Sequence, residues 1–233
     1  MKSGTALLGA TLCLCACGPS GTARIDGIDV SHHQAPLDWG RMRDEGLRFA
    51  YIKATEGADW DDPAYRGHEA GAREAGVAVG AYHFFTFCAD PAEQAAHFLS
   101  RLHLRPGDLP PAVDVEAGGN CAAVPDAGAL VRSLGEFNAR IESALGRPPV
   151  IYTTQGFFLT RFSGTCGSSP LWIRNVVMRP FGAGEWAIWQ HDVGKVGGAE
   201  GKVDRNVFAG NEADFLAFLW RPETGNMPAR NGR

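Results

Sequence analysis

The sequence predicts an α/β fold, a single TIM-like barrel whose last third carries few helices. Eight short runs rich in β-branched and aromatic residues alternate with longer segments of helical pattern. Short connections separate the last three runs, which leaves little room for full helices there. The eight runs are residues 25–30, 48–55, 77–85, 112–116, 150–154, 171–175, 186–191 and 203–208.

The segments between the runs carry the start and stop signals of helices. Residues 91–102 and 126–145 are amphipathic; the second begins at Asp126, a typical N-cap residue, and ends before Gly146. Because parallel strands need long crossovers, the repeated strand–helix–strand pattern predicts parallel pairing. An open doubly wound sheet fits the same alternation, but it normally has a glycine-rich turn after its first strand, and none follows here.

Composition indicates one ordinary globular domain. The chain has 233 residues, of which 45% are hydrophobic and 21% charged, with a formal net charge of -4. Lys and Arg are scattered, so the charge pattern of a nucleic-acid-binding protein is missing. The sequence has no phosphate-binding loop and no dinucleotide fingerprint, and its His residues show no zinc-type spacing. We therefore expect no cofactor, no metal and no nucleic-acid partner.

The first residues have the pattern of an export signal. A positive charge at Lys2 precedes a short apolar run, residues 6–14, and small residues follow. Residues 14–17 resemble a bacterial lipobox in which Cys17 becomes the lipidated first residue; simple cleavage to a soluble protein is the alternative. We expect a signal over 1–17, a linker over 18–24, the catalytic barrel over 25–220 and a disordered tail over 221–233. The protein would then be secreted, or held by lipid on the periplasmic side of an outer membrane.

Three cysteines lie outside the signal: Cys88, Cys121 and Cys166. An exported chain favours pairing two of them. We prefer Cys88 with Cys121, because each follows a predicted strand by a few residues and successive parallel strands bring such loops together. Cys121 with Cys166 is the alternative.

Two acids share one face of an apolar strand. In the run 112–116, alternation places Val113 and Val115 on one side and Asp114 and Glu116 on the other, about 7 Å apart. If the valines pack under helices, both carboxyls point into the barrel mouth, where repulsion and burial raise at least one pKa. A carboxylic acid that stays protonated near neutral pH can serve as a general acid.

Two further acids occupy matching places on the first and last strands, Asp29 and Asp204. These strands are neighbours when a barrel closes, so we expect the four acids to converge at the end where barrel enzymes carry their chemistry. Glycoside cleavage through an oxocarbenium-like transition state needs such a set. Aromatic and amide residues at other strand ends suggest sugar binding, namely Tyr82, Tyr152, Trp172 and Gln190.

Ordered motifs from about residue 27 to 219 resemble glycoside hydrolase family 25. They include Gly-Ile-Asp-Val-Ser at 27–31, Ile-Lys-Ala-Thr-Glu-Gly at 52–57, Asp-Val-Glu at 114–116 and Val-Asp-Arg-Asn at 203–206. The resemblance implies an incomplete barrel, (β/α)5(β)3, and N-acetylmuramidase activity on peptidoglycan glycan strands. It also implies that Glu116 is the catalytic acid and Asp114 its partner, with Lys53 and Glu56 as further binding candidates in a matching motif.

Two other functions compete with this interpretation. Chitinases of another family also end a barrel strand in Asp-x-Glu, but with more acids upstream, where this chain has Leu109 and the apolar residues 110–112. A glycan-binding module without turnover is the second alternative, and loss of one acid would mark it; all four are present. We expect a monomer.

Overall fold

The computed structural model describes residues 24–34 and 36–222. The predicted export signal, Cys17 and nearly all of the 18–24 linker lie outside these ranges, as does the predicted tail from residue 223 onward. Within the described ranges, no helix combines the length and the apolar character needed to cross a bilayer.

Nine strands and six helices make up the described chain. The strands are β1 (Asp26–Val30), β2 (Phe49–Glu56), β3 (Trp60–Asp61), β4 (Ala78–Phe84), β5 (Ala112–Asp114), β6 (Val150–Thr154), β7 (Leu171–Arg174), β8 (Ile188–Lys195) and β9 (Lys202–Phe208). The helices are α1 (Trp39–Asp44), α2 (Tyr65–Glu74), α3 (Pro91–Arg101), α4 (Ala127–Leu145), α5 (Gln155–Arg161) and α6 (Glu212–Phe218).

Eight of the strands close into a barrel. Neighbours follow the order β1-β9-β8-β7-β6-β5-β4-β2, and β1 also pairs with β2, which joins the two ends of the sheet. The short β3 adds an antiparallel edge to β2. This closure confirms the barrel and excludes the open doubly wound sheet. Five strand–helix units followed by three strands match the predicted (β/α)5(β)3 arrangement.

The prediction of parallel pairing throughout is wrong for the last strand. Strand β9 runs antiparallel to both β8 and β1, whereas the other barrel neighbours are parallel. The cause is the connection from β8 to β9, which spans only residues 196–201. A parallel return needs a crossover of about a dozen residues or more, so this short, glycine-rich link makes a hairpin instead.

Helix ends follow the local signals in the sequence. The side chain of Asp126 accepts a hydrogen bond from the backbone N–H of Ala129 at the start of α4. Gly146 ends the same helix in the left-handed conformation, with φ of 77°, which a residue with a side chain adopts at a cost. The predicted boundaries of α3 and α4 agree with the structure to within one residue.

The core has two layers separated by the barrel wall. Inward-facing residues such as Tyr51 and Trp172 fill the barrel, and their rings stack at 4.6 Å between centroids. Outward-facing residues such as Val113 and Val115 are fully buried under the helices. Helix α6 covers the barrel end opposite the mouth, where Phe215 packs against aromatic residues of the interior layer. The open end is therefore the one at which β1, β2 and β4–β8 terminate.

Candidate active site

Strand β5 delivers the Asp-x-Glu pair to the open end. As the alternation predicts, Val113 and Val115 face the helices, while Asp114 and Glu116 both line the cleft at the mouth. The strand is shorter than expected: it ends at Asp114, so Glu116 lies on the loop that follows. The backbone carbonyl of Glu116 accepts a hydrogen bond from Nδ2 of Asn120 at 3.0 Å, which holds this loop in place.

The cleft has a volume of about 370 Å³. The four acids and the four aromatic or amide residues predicted from strand ends all line it, together with one residue that the sequence reasoning missed, Arg174. The full lining is Asp29, Tyr82, Asp114, Glu116, Tyr152, Trp172, Arg174, Gln190 and Asp204.

A hydrogen-bond network holds Asp29 at the floor of the cleft. Its Oδ2 accepts from Nε2 of Gln190 and from Nδ2 of Asn206, each at 2.7 Å. The hydroxyl of Tyr152 donates to Oε1 of Gln190 at 3.1 Å, and the indole N–H of Trp172 donates to Oδ1 of Asn206 at 2.8 Å. Both rings are almost fully buried, so they form the floor and orient the amides rather than offering an open stacking surface.

Asp114 has an unused acceptor. It is 8% exposed, and its Oδ1 has no hydrogen-bond partner among the residues that the structure describes. A buried acceptor without a partner is costly, and such atoms in a cleft usually meet a ligand or an ordered water. Asp114 therefore offers an acceptor to a donor group of a bound molecule.

The acids of the cleft hold their protons more tightly than free carboxylic acids do. Burial, followed by the charge of Asp204, raises the pKa of Asp29 to about 8. Burial and the charge of Glu116 raise the pKa of Asp114 well above its ordinary range. Burial also raises the pKa of Glu116, against the opposing effect of Arg174. Enzymes that use acid catalysis near neutral pH often carry two carboxylic acids whose different surroundings give them different pKa values.

Lys53 and Glu56 lie beside the cleft but do not line it. The ammonium of Lys53 is buried; it pairs with Oε2 of Glu56 at 2.6 Å and lies 4.7 Å from the centroid of Phe84. Its charge lowers the pKa of Asp114, though less than burial raises it. The charges of both residues act on Asp114, and their part in substrate binding stays a prediction.

A disulfide joins Cys88 to Cys121, with 6.1 Å between their Cα atoms. Cys166 forms no disulfide with any described residue, so the alternative pairing of Cys121 with Cys166 is not the one present. The bridge links the loop after β4 to the loop after β5, five residues beyond Glu116. Across the described ranges, no group of three His, Cys, Asp or Glu side chains is arranged to hold a metal ion.

Comparison with known families decides the identity of this barrel. Residues 28–198 match the sequence model of "Glycosyl hydrolases family 25", which is well over half of the chain. The chain belongs to glycosyl hydrolase family 25.

Several known proteins match most of its length. It is 38% identical over 203 residues to protein YegX of Escherichia coli O157:H7, which covers 84% of this chain and 73% of that protein. It is 35% identical over 216 residues to Lysozyme M1 of Streptomyces globisporus, covering 86% and 73% of the two chains. Among solved structures, a bacterial lysozyme from Streptomyces coelicolor superposes with a TM-score of 0.77 at 33% identity, covering 84% of this chain and 97% of that one.

Sequence reasoning missed two residues of this family 25 site, Arg174, which lines the cleft, and Asn206, which is buried behind it. Arg174 shares a strand face with Trp172, and Asn206 shares one with Asp204, so the two-residue alternation contained both signals. Asn206 is fully buried and binds Asp29 directly. Arg174 is the cation that faces Glu116 and Asp204, whose pKa values it lowers.

Proposed function

We propose that this protein is a lysozyme, an N-acetylmuramidase that hydrolyses the β-1,4 bond between N-acetylmuramic acid and N-acetylglucosamine in peptidoglycan. One observation carries the proposal: Asp114 and Glu116 reach the same cleft, and Oδ1 of Asp114 is buried without a partner. Family membership and the likeness to Lysozyme M1 support it.

In this proposal Glu116 is the general acid. Its raised pKa makes it hold a proton more tightly than a free glutamic acid does, and that proton passes to the leaving glycosidic oxygen as the bond from this oxygen to the anomeric carbon breaks. Asp114 accepts a hydrogen bond from the N–H of the substrate's acetamido group through its free Oδ1. A donor at this position favours the ionised form of Asp114 and so lowers its pKa when substrate binds.

The attacking group is then the acetamido oxygen of the substrate itself. It forms a bond to the anomeric carbon as the leaving oxygen departs, and the resulting cyclic intermediate is opened by water, with Glu116 taking the proton of that water. This route retains the anomeric configuration. Asp204 and, in its ionised form, Asp29 stabilise the positive charge that develops on the sugar; near neutral pH Asp29 is mostly protonated, since its pKa is about 8.

The decisive experiment is digestion of purified peptidoglycan, followed by mass spectrometry of the fragments. We expect new reducing ends on muramic acid only. Reducing ends on glucosamine, or faster release from chitin than from peptidoglycan, would assign another glycosidase activity. Tight binding without new reducing ends would assign a binding module. Inversion at the anomeric carbon of the first product would reject the acetamido mechanism.

Export and anchoring form a separate part of the proposal. We propose that residues 1–17 direct export, that Cys17 is lipidated and that residues 18–24 link it to a monomeric barrel over 25–220, with 221–233 as a tail. The apolar run before a small-residue Cys motif supports this. Mass spectrometry of the mature protein tests it, since a processed N-terminus elsewhere than Cys17 would reject the anchor. Sedimentation of the soluble domain tests the monomer.

A further inference from the structure

Arg174 occupies an unusual position in the cleft. It is the last residue of β7, and alternation along that strand turns it to the same face as Trp172, while Leu171 and Ile173 pack under the helices. Among the cleft-lining residues that the structure describes, it is the one cation, and four carboxylic acids line the same cleft.

The guanidinium of Arg174 is also unpaired. It forms no ion pair and no side-chain hydrogen bond with any residue of the described ranges, whereas other arginines of the barrel are engaged. Arg73, for example, donates to both carboxylate oxygens of Asp108 at 2.6 and 2.8 Å. The nearby cation Lys53 is already paired with Glu56.

The charge of Arg174 affects two acids of the cleft, although it forms an ion pair with neither. Arg174 lowers the pKa of Glu116 and of Asp204, yet neither carboxylate is in ion-pair contact with it. A guanidinium carries five N–H donors in a planar arrangement that matches a carboxylate with two parallel hydrogen bonds. The donors of Arg174 are therefore free for a molecule in the cleft.

We propose that Arg174 binds a carboxylate of the glycan substrate, and that this carboxylate is the lactyl group of a muramic acid residue without its stem peptide. The inference rests on the proposed function. The sugar rings and acetamido groups of such a glycan are neutral, so the lactyl group is its charged group once the peptide is removed. Carboxylates of an attached stem peptide are the other source of the same chemistry.

Three glycans distinguish these sources. The first is peptidoglycan glycan stripped of its peptides by an amidase, which has free lactyl carboxylates. The second is the same glycan after carbodiimide coupling to methylamine, which makes those groups neutral amides. The third is glycan with its stem peptides intact. We would measure kcat and KM on each for the wild type, Arg174→Gln and Arg174→Lys, with Arg179→Gln as control, because Arg179 is exposed and does not line the cleft.

We expect the wild type to prefer the free carboxylate to the methylamide by about 10- to 100-fold in kcat/KM, since hydrogen bonds to charged groups contribute about 1.5–3 kcal/mol. Arg174→Gln should bring this ratio close to one, mainly through KM. Arg174→Lys should restore part of the ratio, and Arg179→Gln should keep all of it. Thermal unfolding of each variant would check that it folds.

Other outcomes overturn the proposal. Equal losses on the free and methylated glycans would mean that Arg174 acts only by tuning Glu116, and the pH profile would then shift on both substrates alike. A loss confined to the peptide-bearing glycan would reject the lactyl assignment in favour of the stem peptide. A wild type that cleaves none of the three glycans would instead reject the proposed function.

Discussion

Asp29 lies directly opposite Asp204 in the antiparallel pairing of β1 with β9. In a barrel of parallel strands, two acids at corresponding strand ends would also meet, but here Asp204 stands near the start of its strand. Because β9 runs the other way, its beginning is at the mouth. Burial is the main cause of the raised pKa of both Asp29 and Glu116, and the charge of Asp204 adds to it, so this pairing contributes to the protonation state of the cleft.

The substitution Asp204→Asn should move the pH profile. Burial first and Asp204 second raise the pKa of Glu116, so removing the charge lowers that pKa. Since Glu116 acts in its protonated form, activity is lost as pH rises through its pKa, and the basic limb of kcat/KM should shift to lower pH. Profiles of the wild type and variant on one peptidoglycan preparation check this. Asp192→Asn is the control, because Asp192 pairs with Arg205 away from the cleft; an unmoved or upward-shifted limb for Asp204→Asn would contradict the assignment.

The substitution Glu116→Gln should abolish hydrolysis while leaving the fold intact. Removing a general acid typically costs about 10²- to 10⁴-fold in rate, and glutamine keeps the size of the side chain. Release of reducing ends from purified cell walls is the measurement. Glu136→Gln serves as control, since Glu136 lies on α4 and pairs with Arg140 at the surface. Full activity in Glu116→Gln would show that the acid is another residue.

Much of this site was predictable because strand alternation is a local property. The valines at 113 and 115 and the acids at 114 and 116 separate by face in any strand of this sequence, and the structure keeps that separation. The direction of a strand, in contrast, cannot be predicted from this local pattern. The two-residue period is the same in both directions, and only the short connection 196–201 distinguishes a hairpin from a crossover.

Strand alternation could not predict contacts between distant strands. Asn206 binds Asp29 across 177 positions of sequence. Arg174 likewise comes close to Glu116 and Asp204 only in the folded chain. Each is a polar residue on an inward face of its strand. That pattern indicates that the side chain lies inside the barrel, but it does not indicate which residue the side chain contacts.

The substitution Asp114→Asn should stabilise the folded protein and also remove most of its activity. Burial raises the pKa of Asp114 well above its ordinary range, so at neutral pH the unfolded chain ionises at this position more readily than the folded one. That difference is absent below about pH 4, the ordinary pKa of the side chain, and destabilises the native state as pH rises towards the folded-state pKa. Asparagine removes it. We expect the free energy of unfolding to rise by about 1 kcal/mol at pH 8 and to change little at pH 4.

Urea unfolding at the two pH values measures this difference, and peptidoglycan hydrolysis by Asp114→Asn should fall by at least about 100-fold. A variant that is destabilised equally at both pH values would mean that Asp114 is held by contacts rather than strained by burial.

The substitution Cys88→Ser should reduce both stability and turnover. The bridge to Cys121 closes a loop with a sequence separation of 33 residues, and removing such a bridge costs about 2–4 kcal/mol. Cys121 follows Asn120, whose side chain binds the backbone carbonyls of Phe85 and Glu116. Loosening this segment therefore frees the loop that carries the proposed acid, and kcat should fall more than KM rises. Cys166→Ser is the matched control, since Cys166 is unbridged to any described residue and its loss should cost under about 0.5 kcal/mol. If Cys88→Ser melted at the wild-type temperature with unchanged kcat, the bridge would have no part in holding Glu116.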